Sequence, residues 1–131
     1  MVIVDSSVWI DALNGQQTPE TVWLRGALTR GGIGTSSLIL CEVLRGFRLD
    51  RDFQRAKTML LALPVLDGVP TQVAVKAAEN FRLLQQRGIT VRKTVDCLIA
   101  TACMEGGHAL LHKDSDFRGF ETHLGLKVIH P

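Results

Sequence analysis

Two short apolar runs, far apart in the chain, each end on acid. Met1-Val2-Ile3-Val4 stops at Asp5-Ser6-Ser7, and Ala109-Leu110-Leu111-His112 stops at Lys113-Asp114-Ser115-Asp116-Phe117. Short apolar runs of this kind suit buried parallel strands, whose carboxyl ends open onto a ligand crevice. A fold that buries both runs in one sheet delivers Asp5 and Asp114 to the same edge. Asp5 is therefore expected to anchor a metal.

The intervening segments supply helices. Val8 to Leu13 carries apolar residues on one helical face, with Ser6 or Ser7 as N-cap and Asn14-Gly15 as its stop. Thr18-Pro19-Glu20 opens a second helix that runs to Gly31-Gly32. Gly32 to Ser37 reads as a short strand leading into a helix, Leu38 to Gly46, capped by Ser36 or Ser37. A polar, basic stretch from Arg48 to Lys57 precedes an apolar helical run, Met59 to Leu63, ended by Pro64, and Val65-Leu66 forms a short strand. The spacing of Val75, Ala78, Phe81 and Leu84 predicts an amphipathic helix over Thr71 to Arg87, stopped by Gly88. Thr94 caps Val95 to Met104, apolar almost all round and hence a core helix, which Gly106-Gly107 breaks; Leu126 to Ile129 is a last strand. Strands alternating with helices predict an α/β, three-layer α/β/α domain with a central parallel sheet. At 131 residues the chain is expected to be a single domain, 1–131.

Composition narrows the function classes. With 46% hydrophobic and 21% charged residues, the chain is neither disordered nor strongly polyionic, and its net charge of +2 does not by itself indicate a nucleic-acid partner. No apolar stretch is long enough to span a bilayer, so no membrane association is expected and the cytoplasm is the default compartment. Cys41, Cys97 and Cys103 are odd in number and contain no closely spaced pair, which favours core packing over zinc or redox work.

Chemistry enters with the remaining acids. Glu42 lies in an apolar helix, where a carboxylate is costly to bury without a partner, and Asp96 falls in the first turn of a buried helix, where the dipole favours an anion. In an open α/β sheet the strand carboxyl ends and the amino ends of adjoining helices share one edge. Asp5, Glu42, Asp96, Asp114 and Asp116 can converge there. Clustered carboxylates repel, and a divalent cation with hard oxygen ligands, Mg²⁺ or Mn²⁺, relieves that repulsion. A cation held this way suits phosphodiester hydrolysis by an activated water. Ser6 and Ser7 lack the G-x-S-x-G elbow and no phosphate-binding glycine loop is present, so acyl transfer and ATP hydrolysis recede.

Asp5-Ser6-Ser7, Thr35-Ser36 ahead of Glu42 with Leu44 and Gly46 after it, Thr94-Val95-Asp96 leading an Ala-rich apolar helix, and Asp114-Ser115-Asp116-Phe117 together resemble the PIN-domain ribonucleases. The size and motif order are similar to the VapC toxins of type II toxin–antitoxin modules, over nearly the full chain. The resemblance implies Mg²⁺- or Mn²⁺-dependent endonucleolytic cleavage of RNA, a homodimer, and inhibition by a VapB-like antitoxin, alone or in a larger complex. Asp5, Glu42, Asp96 and Asp114 match the acidic quartet expected to be catalytic and metal-binding. Asp116 matches a further acid at the metal.

Ser6, Ser7 or Thr35 would match the family's hydroxyl positions, and Ser7 and Thr35 are candidates for substrate binding. Arg45, Arg48, Arg92, Lys93, Lys113 and Arg118 flank the acidic motifs and are candidates for a phosphate-attracting rim, Arg45, Arg92 and Lys113 foremost, while His112 at a strand end reads as structural rather than as a general base. The chain has no Tyr, so a stacking platform for single-stranded RNA is not expected, and recognition by shape and phosphate position is. Two other function classes remain open to the sequence. One is a receiver-like signalling domain that binds Mg²⁺ through strand-end carboxylates and uses Lys113. The other is a catalytically silent PIN-like RNA-binding protein.

Overall fold

A computed structural model describes residues 1–131. The elements, in chain order, are β1 (Val2–Val4), α1 (Ser6–Leu13), α2 (Pro19–Arg30), β2 (Ile33–Ser36), α3 (Ser37–Leu44) and α4 (Asp50–Leu61). They continue with β3 (Val65–Leu66), α5 (Thr71–Gln86), α6 (Thr94–Gly106), β4 (Ala109–Leu111) and α7 (Arg118–Leu124). A 3₁₀ turn, Ser115–Phe117, joins β4 to α7.

The sheet is parallel throughout, in the order β3-β2-β1-β4. The seven helices flank it in the α/β/α arrangement that the sequence predicts. β1 and β4, the two runs that end on acid, are neighbours, with Val2 beside Ala109 and Val4 beside Leu111. Ile3, Val4, Leu110 and Leu111 are fully buried, as strands covered on both faces require.

Several local expectations are corrected. Asp5, not Ser6 or Ser7, is the N-cap of α1, its side chain accepting from the Ser7 backbone N–H. One carboxylate thus both ends the strand and starts the helix, which ties its position to two elements. Lys93 rather than Thr94 precedes α6 at the cap position, and no side chain caps that end. The polar stretch after Arg48 is not a lead-in: from Asp50 it forms the first turns of α4, with Asp50 and Asp52 favourably placed at the helix amino end. Leu126–Ile129 makes only a single parallel bridge, Val128 to Leu110, so the expected last strand is reduced to an edge contact. The sequence reading also passed over α7, a helix of seven residues too short to show periodicity.

The buried stripe of α5 is Val73, Ala77, Asn80 and Leu84, while Val75 is 54% exposed and Ala78 is exposed. Sequence spacing missed this because the stripe contains an amide. Asn80 Nδ2 donates to Thr101 Oγ1 of α6 at 3.0 Å, so a polar pair rather than an apolar one fills that part of the α5–α6 contact. α6 ends on Gly107, whose φ of +71° lets the chain turn sharply back into β4. That reversal runs α6 against the strand direction and returns its first turn to the carboxyl edge of the sheet.

Candidate metal centre

Asp5 leaves β1 at that edge and is 3% exposed. The Ser7 hydroxyl donates to Asp5 Oδ2 at 2.6 Å, and the Ser7 backbone N–H donates to the same oxygen at 3.2 Å. Ser7 Oγ also accepts from the Lys113 backbone N–H at 3.3 Å, so one hydroxyl links the exits of β1 and β4. With these bonds made, Ser7 positions Asp5 rather than standing free for substrate.

Past β4 the chain is fixed in the same way. The Asp114 backbone N–H donates to His112 Nδ1 at 3.1 Å, and the His112 ring packs against Phe117 with centroids 4.9 Å apart. Burial lowers the His112 pKa below the usual imidazole range, which keeps the ring neutral and able to accept at Nδ1. Asp114 caps the 3₁₀ turn, its Oδ1 accepting from the Asp116 N–H at 2.9 Å. Asp96, in the first turn of α6, is 3% exposed. One carboxylate oxygen from each of Asp96, Asp114 and Asp116 can be chosen so that all three lie within 4.8 Å of one another.

Asp5 and Glu42 lie outside that closest trio but within its electrostatic field. Burial, first, and then the charges of Asp5, Asp114 and Glu42 raise the Asp96 pKa from 3.8 to about 7, against the opposing pull of Lys93. Glu42 is likewise raised, by burial and then by Asp5; the Ser6 hydroxyl, which donates to Glu42 Oε1 at 3.2 Å, and the charges of Lys93 and Arg45 offset part of this. The charge of Asp5 acts on both Asp96 and Glu42, as expected of acids that share a site.

The donor set fits a hard divalent cation. Asp5 Oδ1 and Asp96 Oδ2 are both buried and have no hydrogen-bond partner in the protein. An unpaired buried carboxylate oxygen is expensive, and two in one acidic cluster call for a positive ligand. Oxygen donors alone, without sulfur or imidazole, suit Mg²⁺ or Mn²⁺ better than zinc.

The predicted rim is only partly realised. Arg45 is exposed and close enough to Glu42 to lower its pKa. Arg92 reaches Asp116, Nη2 to Oδ1 at 3.2 Å, and so braces an acid while most of its side chain stays exposed. Lys113 is drawn away: its Nζ lies 2.7 Å from Asp11 Oδ2 on α1. This pairing also removes the lysine on which a receiver-like reading depends. Thr35 is fully buried, its hydroxyl without a protein partner, so a substrate has no direct access to it. Ser6 and Lys93, both named from the sequence, do lie at the cluster: Ser6 bonds Glu42, and the charge of Lys93 opposes the rise in the Asp96 pKa. His112 has the structural part expected of it, accepting from the Asp114 backbone N–H.

Known proteins resemble the chain in sequence and in fold. The PIN domain family model matches residues 2–121. Ribonuclease VapC11 of Mycobacterium tuberculosis and a VapC ribonuclease of Mycobacterium bovis are each 28% identical over 120 residues, covering 89% of both chains. Among solved structures, FitAcB from Neisseria gonorrhoeae superposes with a TM-score of 0.79 at 17% identity, over 100% of this chain and 98% of that one. VapBC2 from Rickettsia felis, bound to a DNA fragment from its promoter, gives 0.77 at 19% identity over 98% of each. The family model, which spans most of the chain and includes all five acids, sets the classification: the chain belongs to the PIN domain family.

Proposed function

We propose that the chain is a Mg²⁺- or Mn²⁺-dependent endoribonuclease, the toxin of a type II toxin–antitoxin pair, acting in the cytoplasm. The observation that carries this reading is the pair of buried, unpartnered carboxylate oxygens, on Asp5 and Asp96, in a cluster whose neighbouring charges add to burial in raising the Asp96 pKa. A divalent cation bound there supplies a Lewis acid for the scissile phosphate and lowers the pKa of a water. Asp96, Asp114 and Asp5 are the residues to hold it, with Asp116 and Glu42 completing the set. Ser7 fixes the rotamer of Asp5, and the 3₁₀ turn fixes Asp114 relative to Asp116. Glu42, whose pKa stays raised although the bond from Ser6 opposes the rise, is suited to hold a proton near the attacking water. Arg45 and Lys93 place positive charge at the mouth of the cluster for an incoming phosphate. The relatives named as VapC ribonucleases support RNA as substrate, and the VapBC assemblies of the same fold support a VapB-like antitoxin as partner. A homodimer, which the resemblance to VapC toxins implies, is part of the same proposal.

The test is cleavage of single-stranded RNA by the purified protein freed of antitoxin. Mg²⁺ or Mn²⁺ should support cleavage, EDTA should stop it, and Asp96→Asn should reduce it at least 100-fold. Equal cleavage by Asp96→Asn refutes the proposal, and metal-dependent binding without cleavage would mark a silent RNA-binding protein instead.

A further inference from the structure

A cleft of about 210 Å³ lies directly beside the acid cluster and shares Asp116 with it. One wall is the α5–α6 linker, through Ile89 and Thr90; the other is the 3₁₀ turn and α7, through Ser115, Arg118 and Thr122. Arg118 and Thr122 are four residues apart on α7 and so lie on one helical face. His123 also lines the cleft, its Nδ1 3.4 Å from Arg87 Nη1.

The charge pattern of this cleft differs from that of the metal centre. Asp116 is its only carboxylate, and that group is engaged by Arg92. Arg118 is exposed and makes no ion pair. Of the eight lining residues only Ile89 is hydrophobic, and three offer hydroxyls. The volume is below the ~300–1,000 Å³ of sites that enclose a whole small molecule, and matches part of a nucleotide in a continuing strand. A polar slot with an unpaired guanidinium, opening off a site for phosphodiester chemistry, has the properties of a backbone phosphate contact.

We infer that the cleft seats the nucleotide next to the scissile phosphate of a single-stranded RNA, with Arg118 holding its phosphate and Thr90 and Thr122 facing its sugar. The inference rests on the nuclease reading above and deepens it. It makes α7 a positioning element for the substrate: once Arg118 is engaged, the neighbouring phosphate is presented toward Asp96, Asp114 and Asp116. The contact is made to backbone rather than to base, so it sets register and affinity with little sequence preference.

The experiment compares wild type with Arg118→Ala, Thr122→Trp to fill the cleft, and Arg51→Ala as an exposed arginine on α4 away from the site. Each is assayed for cleavage of a short RNA in Mg²⁺ or Mn²⁺, and for binding of the same RNA by fluorescence anisotropy in EDTA across a salt series. Arg118 and Thr122 are exposed, so both variants should fold, as circular dichroism will verify. Arg118→Ala should raise KM about tenfold while kcat falls less than threefold, and should make the salt slope of binding shallower by about one, the loss of one phosphate contact. Thr122→Trp should raise KM without altering the slope. Arg51→Ala should do neither. If wild type cleaves RNA and Arg118→Ala keeps its KM and salt slope, the subsite is refuted and the nuclease reading stands. If wild type cleaves nothing, the nuclease reading fails and the binding arm decides: a shallower slope in Arg118→Ala retains the phosphate contact, and an equal slope overturns it.

Discussion

Asp96→Asn should make the cation-free protein more stable while abolishing its chemistry. Asp96 is 3% exposed, and its pKa rises from 3.8 to about 7 in the folded chain, through burial and then through the charges of Asp5, Asp114 and Glu42. A folded-state pKa above the unfolded one means that the native protein binds the proton more tightly. The native state is then favoured below about pH 4, and this advantage is lost as pH climbs toward 7, because ionised Asp96 sits among other carboxylates. Each tenfold change in proton affinity corresponds to about 1.4 kcal/mol, so the full penalty above pH 7 is at most about 4 kcal/mol. Reorientation of the neighbouring side chains and salt screening bring the expected value to roughly 2 kcal/mol. Asparagine keeps the shape and never ionises. Urea unfolding at pH 8 in EDTA should therefore show the variant about 2 kcal/mol more stable than wild type, and the gap should close at pH 4. Millimolar Mg²⁺ or Mn²⁺ should stabilise wild type at pH 8 and leave the variant unmoved. Equal stability of the two proteins at pH 8 in EDTA, or a gap independent of pH, would refute the view that these acids share one low-dielectric site.

Two further outcomes follow from the packing. Ser7→Ala removes the 2.6 Å bond to Asp5 and the link to the Lys113 backbone, so metal affinity measured by calorimetry should fall about tenfold, as for loss of an outer-shell partner, with the fold retained. Asn80→Ala strands the Thr101 hydroxyl between α5 and α6; thermal unfolding should report a loss of about 1–3 kcal/mol, with RNA cleavage per folded molecule unchanged.

The acids that cluster in the structure were more legible in the sequence than their surroundings were. Asp5 and Asp114 were readable because each follows a short apolar run, and the strands they follow are neighbours in the sheet. Asp96 and Glu42 stood out because acids are costly in apolar helices. The exact division of labour was hidden: Asp5 as helix cap, Asp114 as cap of the 3₁₀ turn, and Arg92 bracing Asp116 all depend on backbone directions that no spacing rule contains. Lys113 was misplaced for a similar reason, since its proximity to Asp114 in sequence says nothing about Asp11, which α1 brings to it from the other end of the chain. The buried face of α5 was misread because periodicity counts apolar residues, and here an amide pair does part of the packing.

The pairing of β1 with β4 bears on how the molecule comes into being. Val2 must find Ala109, and Asp5 must find Asp114 and the Lys113 backbone, across almost the whole chain. Contacts so distant in sequence close late, after the cost of ordering the intervening loop has been met, and they slow folding. A chain emerging from the ribosome can form α1 through α5 and still own only Asp5 and Glu42. Asp96, Asp114 and Asp116 lie beyond α5, on α6 and after β4, so the acid cluster is assembled only once those elements have joined β1.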